Sequence, residues 1–209
     1  MDPRYILLIS TILLAHVLRA QDHQEVYPGA DETTPSLSQY FSWINNTNEG
    51  STEAQTLVNL DFYKWLHDEY GMILDIYVVS AGAIDKARWY GSMDSEAFKE
   101  QFPNGFEPIY QRAKEMGTRL GTWGGPDGFG HTPEEEQARI EMIVKLCRDY
   151  EFRLLKMDAV VGQLREEKQA AFVKMMTACR KYSPDLILLN HRLNLGDEAK
   201  KHATTSLWG

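Results

Sequence analysis

Short apolar runs alternate with longer amphipathic stretches along this chain, and that rhythm limits its possible folds more than any other feature. Apolar runs at 118–123, 152–158 and 186–190 recur at roughly 34-residue intervals, the length of one strand–helix unit. Alternating strands and helices fold into a parallel sheet with helical crossovers. Earlier runs at 40–44 and 73–79 and a later one at 204–208 extend the series. The helices between them carry their own punctuation. Thr52 and Gln55 suggest a capping box and Gly71 a stop, while Thr132-Pro133-Glu134-Glu135 supplies an N-cap, a first-turn proline and a capping glutamate. Further helices are expected from Phe106 to Met116 and from Glu166 to Tyr182, with residues 80–104 as an insert.

Two parallel architectures share this rhythm. A doubly wound dinucleotide-binding sheet would show Gly-x-Gly-x-x-Gly after its first strand, and residues 45–50 read Asn-Asn-Thr-Asn-Glu-Gly instead. Polar and aromatic residues gather at the C-terminal ends of several strands, where a (β/α)8 TIM-type barrel builds its active site. The expected fold class is therefore α/β, a (β/α)8 barrel. With 209 residues against the ~250 such a barrel typically needs, it is expected to be incomplete, holding about the first five to six units.

Residues 1–20 differ from the rest. Arg4 precedes the apolar run from Ile6 to Ala15, and Leu18-Arg19-Ala20-Gln21 offers a small residue at a cleavage point. The run suits a signal peptide better than a membrane span, with a buried N-terminal helix as the alternative. The expected organisation is a leader at 1–20, a polar linker at 21–38 and a partial barrel at 39–209. The protein would be secreted or periplasmic, with no membrane span after cleavage. A formal net charge of −8 argues against nucleic acid as a partner. Cys147 and Cys179 sit in amphipathic helices with no Cys or His at ligand spacing, and read as core residues. No metal site and no cofactor are expected.

Three strand ends carry candidate chemistry. In Leu154-Leu155-Lys156-Met157-Asp158, alternation sends Lys156 and Asp158 to the same face, the inward one. An ammonium beside a carboxylate keeps it ionised, as a nucleophile requires. The same two charges would also make a rim ion pair with no chemistry. The loop around Trp123 and Asp127 (Gly121-Thr122-Trp123-Gly124-Gly125-Pro126-Asp127) supplies tight turns and a flat apolar platform on which a sugar face can stack. It would equally serve as a tight connection with a core tryptophan. Asn190-His191-Arg192-Leu193-Asn194 offers amide and guanidinium groups suited to a polyhydroxylated ligand, or a solvated loop.

Taken in order, these strand ends resemble the α-galactosidase (melibiase) clan of retaining glycoside hydrolases. The segment from Gly121 to Asp127 is similar to the clan's Gly-x-Trp-x-x-Pro-Glu, with aspartate for glutamate. Leu155-Lys156-Met157-Asp158 is similar to its Leu-Lys-x-Asp, and Trp43-Ile44-Asn45-Asn46 is similar to its first-strand segment. The resemblance implies a nucleophile at Asp158, sugar contacts from Trp123, Asp127, Lys156, Asn190 and Arg192, and an acid/base beyond Gly209. The clan's Asp-Asp-Gly-Trp after strand two is replaced by Val79-Ser80-Ala81-Gly82-Ala83-Ile84-Asp85, which implies a different sugar preference. The expected activity is that of a secreted retaining α-glycosidase acting on oligo- or polysaccharide, the chain being a fragment of a longer enzyme. A catalytically inactive carbohydrate-binding relative is the alternative, and a metal-dependent sugar isomerase or lyase a more distant one.

Overall fold

Parity along the strands decides which side chains meet the helices and which do not. A computed structural model describes residues 36–42, 52–79 and 92–207. The expected leader at 1–20, most of the expected linker at 21–38 and the Trp43-Ile44-Asn45-Asn46 segment lie outside these residues. The strands are β1 (Gln39–Phe41), β2 (Ile76–Val79), β3 (Arg119–Gly124), β4 (Leu154–Asp158), β5 (Ile187–His191) and β6 (Thr205–Leu207). The helices are α1 (Glu53–Tyr70), α2 (Glu96–Gln101), α3 (Glu107–Lys114), α4 (Pro133–Tyr150), α5 (Gln169–Arg180) and α6 (Asp197–Lys200).

All six strands are parallel, and their order across the sheet is their order in the chain. A doubly wound sheet reverses direction at a switch point; this one never does. Because crossovers are right-handed, a sheet that only advances keeps its helices on one face. The opposite face is the inner wall of a (β/α) barrel, as the sequence rhythm implies.

The apolar clusters divide by that parity. Leu120, Leu155, Met157, Leu188, Tyr77 and Val79 join the large core under the helices. Ile76, Val78 and Leu154 form a second, smaller cluster with Phe41 and Ile187 on the inner face. The sheet curls toward that inner face. Lys156 on β4 places its ammonium 5.9 Å from the centre of the Phe41 ring on β1. Strands three places apart would stand about 14 Å from each other in a flat sheet.

Local signals set the helix ends. Thr52 Oγ1 accepts from Gln55 N and Gly71 ends α1 at φ 65°. The Gln55 amide turns to Asn59 and leaves that capping box half made. At α4 the box is complete, with Glu135 Oε2 accepting from Thr132 N and Thr132 Oγ1 accepting from Glu135 N.

The insert after β2 holds α2, which the apolar pattern does not reveal because the helix is short. Ser95 caps it, and Phe98, Phe102 and Phe106 pack with Phe152 at the foot of β4, ring centres 5.2–5.4 Å apart. The expected helix to Tyr182 opens with a 3₁₀ turn and ends at Arg180. Cys147 and Cys179 are buried thiols within the core, as expected. Among the described residues no helix is long and apolar enough to cross a membrane.

Gly121 sits on the inner face between Val78 on β2 and Leu154 on β4. A Cβ there would stand 2.9 Å from Leu154 Cβ, 3.0 Å from Leu154 O and 3.2 Å from a Val78 methyl. Gly121→Ala should therefore cost roughly 1–3 kcal/mol of stability in urea unfolding. Gly124→Ala, whose Cβ would meet only Arg139 Nη2 at 3.8 Å, is the control. Equal stability in both variants would mean that the inner wall is looser than described.

Candidate active site

Four side chains from three adjacent strands converge at the C-terminal end of the sheet. Trp123 pairs in register with Lys156, and Asp158 pairs with His191. Register partners in a parallel sheet point to the same face. Since Leu154 faces inward, Lys156 and Asp158 follow it, and Trp123 and His191 stand beside them.

Asp158 is the centre of this group and only 4% exposed. Its Oδ1 accepts a hydrogen bond from Val160 N at 3.0 Å, which also caps the 3₁₀ turn Ala159–Val161. Three donors approach Oδ2. Trp123 Nε1 donates at 3.3 Å, Lys156 Nζ stands at 3.7 Å and His191 Nδ1 at 2.9 Å. The His191 contact is close but poorly directed for a hydrogen bond, which leaves Nδ1 buried without a well-aligned partner.

Burial pushes the Asp158 carboxyl up, but the Val160 amide, His191 and Trp123 outweigh it. The net effect holds the group below its ordinary pKa. A buried carboxylate kept ionised by converging donors can act as a nucleophile or stabilise a developing cation.

The structure departs from expectation at two residues. Asp127 is not an open acceptor for a ligand. Its Oδ1 accepts from Gly128 N, Phe129 N and Arg165 Nη2, and its Oδ2 accepts from Arg165 N and Nε. Five bonds occupy both oxygens, so Asp127 is a clamp joining the loops after β3 and β4. Asn190 pairs in register with Met157 and faces the helices, and its Oδ1 accepts from Leu193 N to shape the turn after β5. It does not join the Asp158 group.

Arg192 is exposed at φ 64°, and its backbone carbonyl accepts from Gln163 Nε2. Gln163 Oε1 in turn accepts from Asn194 N, so one amide ties the rim after β4 to the rim after β5. Arg165 was not singled out in the sequence, and His191, named there only within the Asn190–Asn194 segment, is the member of that segment that reaches Asp158. β5 runs from Ile187 to His191, one residue later than the apolar run indicates, so the inward residue at its end is His191 and not Asn190. Among the described residues no group of three His, Cys, Asp or Glu side chains is placed to hold a metal ion.

No family model matches the sequence, and no curated protein matches it. Solved structures do. A putative α-galactosidase from Bacteroides fragilis superposes with a TM-score of 0.51 and 17% identity over 76% of this chain and 34% of its own. The α-galactosidase from Lactobacillus brevis gives 0.52 and 13%, over 83% and 30%. A substituted GH36 α-galactosidase from Geobacillus stearothermophilus, in complex with stachyose, gives 0.52 and 14%, over 87% and 31%. The chain spans about a third of the length of these structures. The fold is that of the α-galactosidase barrels, in agreement with the resemblance of the strand-end motifs.

The Asp127–Arg165 clamp has a measurable consequence. Burial raises the Asp127 pKa, but the Arg165 side chain and the surrounding amides overcome it and hold the carboxyl at about 2. A depressed carboxyl contributes stability that is fully present above its unfolded pKa of ~3.9 and is lost as pH falls toward the folded value. Unfolding free energy should therefore drop by roughly 2 kcal/mol between about pH 4 and pH 2 on this group's account. Asp127→Asn should remove that part of the acid dependence. An unchanged acid limb in Asp127→Asn would show that the clamp is not formed in solution.

Proposed function

We propose that this chain carries the nucleophile half of a retaining glycoside hydrolase acting on α-glycosides of oligo- or polysaccharides. The observation that supports the reading is the Asp158 group, an ionised carboxylate at the inner-face end of β4 with Trp123, Lys156 and His191 around it. In this reading Asp158 attacks the anomeric carbon as the glycosidic C–O bond breaks, the departing oxygen takes a proton from the second carboxyl, and water then hydrolyses the glycosyl ester. The half-buried Trp123 ring offers an apolar face to the sugar, and its Nε1 steadies Asp158. Lys156 Nζ stands 3.7 Å from the same carboxylate oxygen, and Arg192 stands exposed at the rim for a sugar hydroxyl.

The second carboxyl that retaining chemistry needs, ~5–5.5 Å from the nucleophile, is assigned after β6, as the family resemblance implies. The same resemblance makes the chain part of a longer enzyme. The apolar leader assigns the protein to the periplasm or the exterior, which N-terminal sequencing of exported protein tests.

In the complete enzyme, Asp158→Asn should lower hydrolysis of aryl α-glycosides by roughly 10³-fold or more while leaving the circular dichroism spectrum unchanged. Retention is checked by following the anomer first released by proton NMR. Wild-type rates in the variant would end the assignment. Glycan binding by the native protein with no turnover would favour a binding-only relative.

A further inference from the structure

Oδ2 of Asp158 faces two basic groups, and they differ in kind. Lys156 carries an amine, whereas imidazole is the one side chain whose ordinary titration falls between pH 5 and 8. His191 is also the more exposed partner, its side chain 21% accessible against 6% for Asp158. Protons from solvent reach the ring more readily than the carboxylate. His191 is held in place by its strand, as the last residue of β5 and the register partner of both Asp158 and Leu207. Among the described residues the charged groups facing it are Asp158 and, across Oδ2, Lys156.

Resting on the reading of Asp158 as nucleophile, we infer that His191 is a positioning residue that gates it. Neutral His191 leaves Lys156 as the only cation beside Oδ2 among the described residues. Protonated His191 adds a second full charge 2.9 Å from the same oxygen and withdraws its electron pair from the sugar. Attack by Asp158 should then fail on the acid side, even though Asp158 itself remains ionised there. The two-cation arrangement distinguishes this from a purely structural contact, which would affect stability but not the shape of a pH profile.

The test isolates the attacking step. With 5-fluoro-α-galactosyl and 5-fluoro-α-glucosyl fluorides, the Asp158 oxygen forms a bond to the anomeric carbon as the carbon–fluorine bond breaks. Fluoride leaves with its electron pair, so no acid is needed. Labelling rates are read by intact mass between pH 4.5 and 8 for the native chain, His191→Gln and His191→Asn, with peptide mapping to locate the ester. The native rate should fall about tenfold or more from pH 7.5 to pH 5. In either variant it should change less than about twofold over the same range.

Identical pH profiles in native and variant proteins would overturn the gating role while leaving Asp158 as nucleophile. No labelling at any pH would overturn the nucleophile reading itself and the gating with it.

Discussion

Everything at this site depends on a sheet that advances one strand at a time without reversing. Right-handed crossovers then hold the helices to one side, and strand pleating divides each strand's residues between a helix-covered face and an inner wall. The inner wall narrows as it curls. That brings Lys156 on β4 over the Phe41 ring on β1 and leaves no room for a side chain at Gly121. The same geometry delivers Trp123, Asp158 and His191 to one point from three different strands. No loop has to fold for that group to form, because its members are strand residues fixed by backbone register.

The rim has a different construction and a different task. Asp127 and Arg165 clamp the loops after β3 and β4, while the Gln163 side chain bridges the loops after β4 and β5. Gln169 adds a further tie, accepting from Gly196 N and donating to Asn194 O. These polar ties hold the connections to one another at the rim. The two buried aspartates accordingly take on separate roles. Both are held ionised by donors, but Asp127 spends both oxygens on the scaffold, whereas Asp158 gathers basic side chains on one oxygen at the end of the inner wall.

Much of this was legible in the sequence. The strand–helix rhythm specified a parallel sheet, and the alternation in Leu154-Leu155-Lys156-Met157-Asp158 put Lys156 and Asp158 on one face, where they stand. β5 was harder. Its run of Ile187, Leu188 and Leu189 is apolar on both faces, so periodicity cannot show which residue points inward, and a one-residue shift exchanged His191 for Asn190. Asp127 misled for another reason. An acid after a Gly-rich turn looks like a ligand contact until its partner is known, and Arg165 lies 38 positions away in the chain. The short α2 escaped notice because its apolar residues serve an aromatic cluster shared with distant segments.

The central claim is that Asp158 is a buried carboxylate which its neighbours keep charged. The most direct measurement is a carbon-13 NMR titration of its side-chain carboxyl in the native chain, assigned by comparison with Asp158→Asn. The account predicts a midpoint below the ordinary 3.8, because the Val160 amide, His191 and Trp123 outweigh the effect of burial. A midpoint at or above that value would mean that burial prevails, the donors do not converge on the carboxylate in solution, and the site is not the one described.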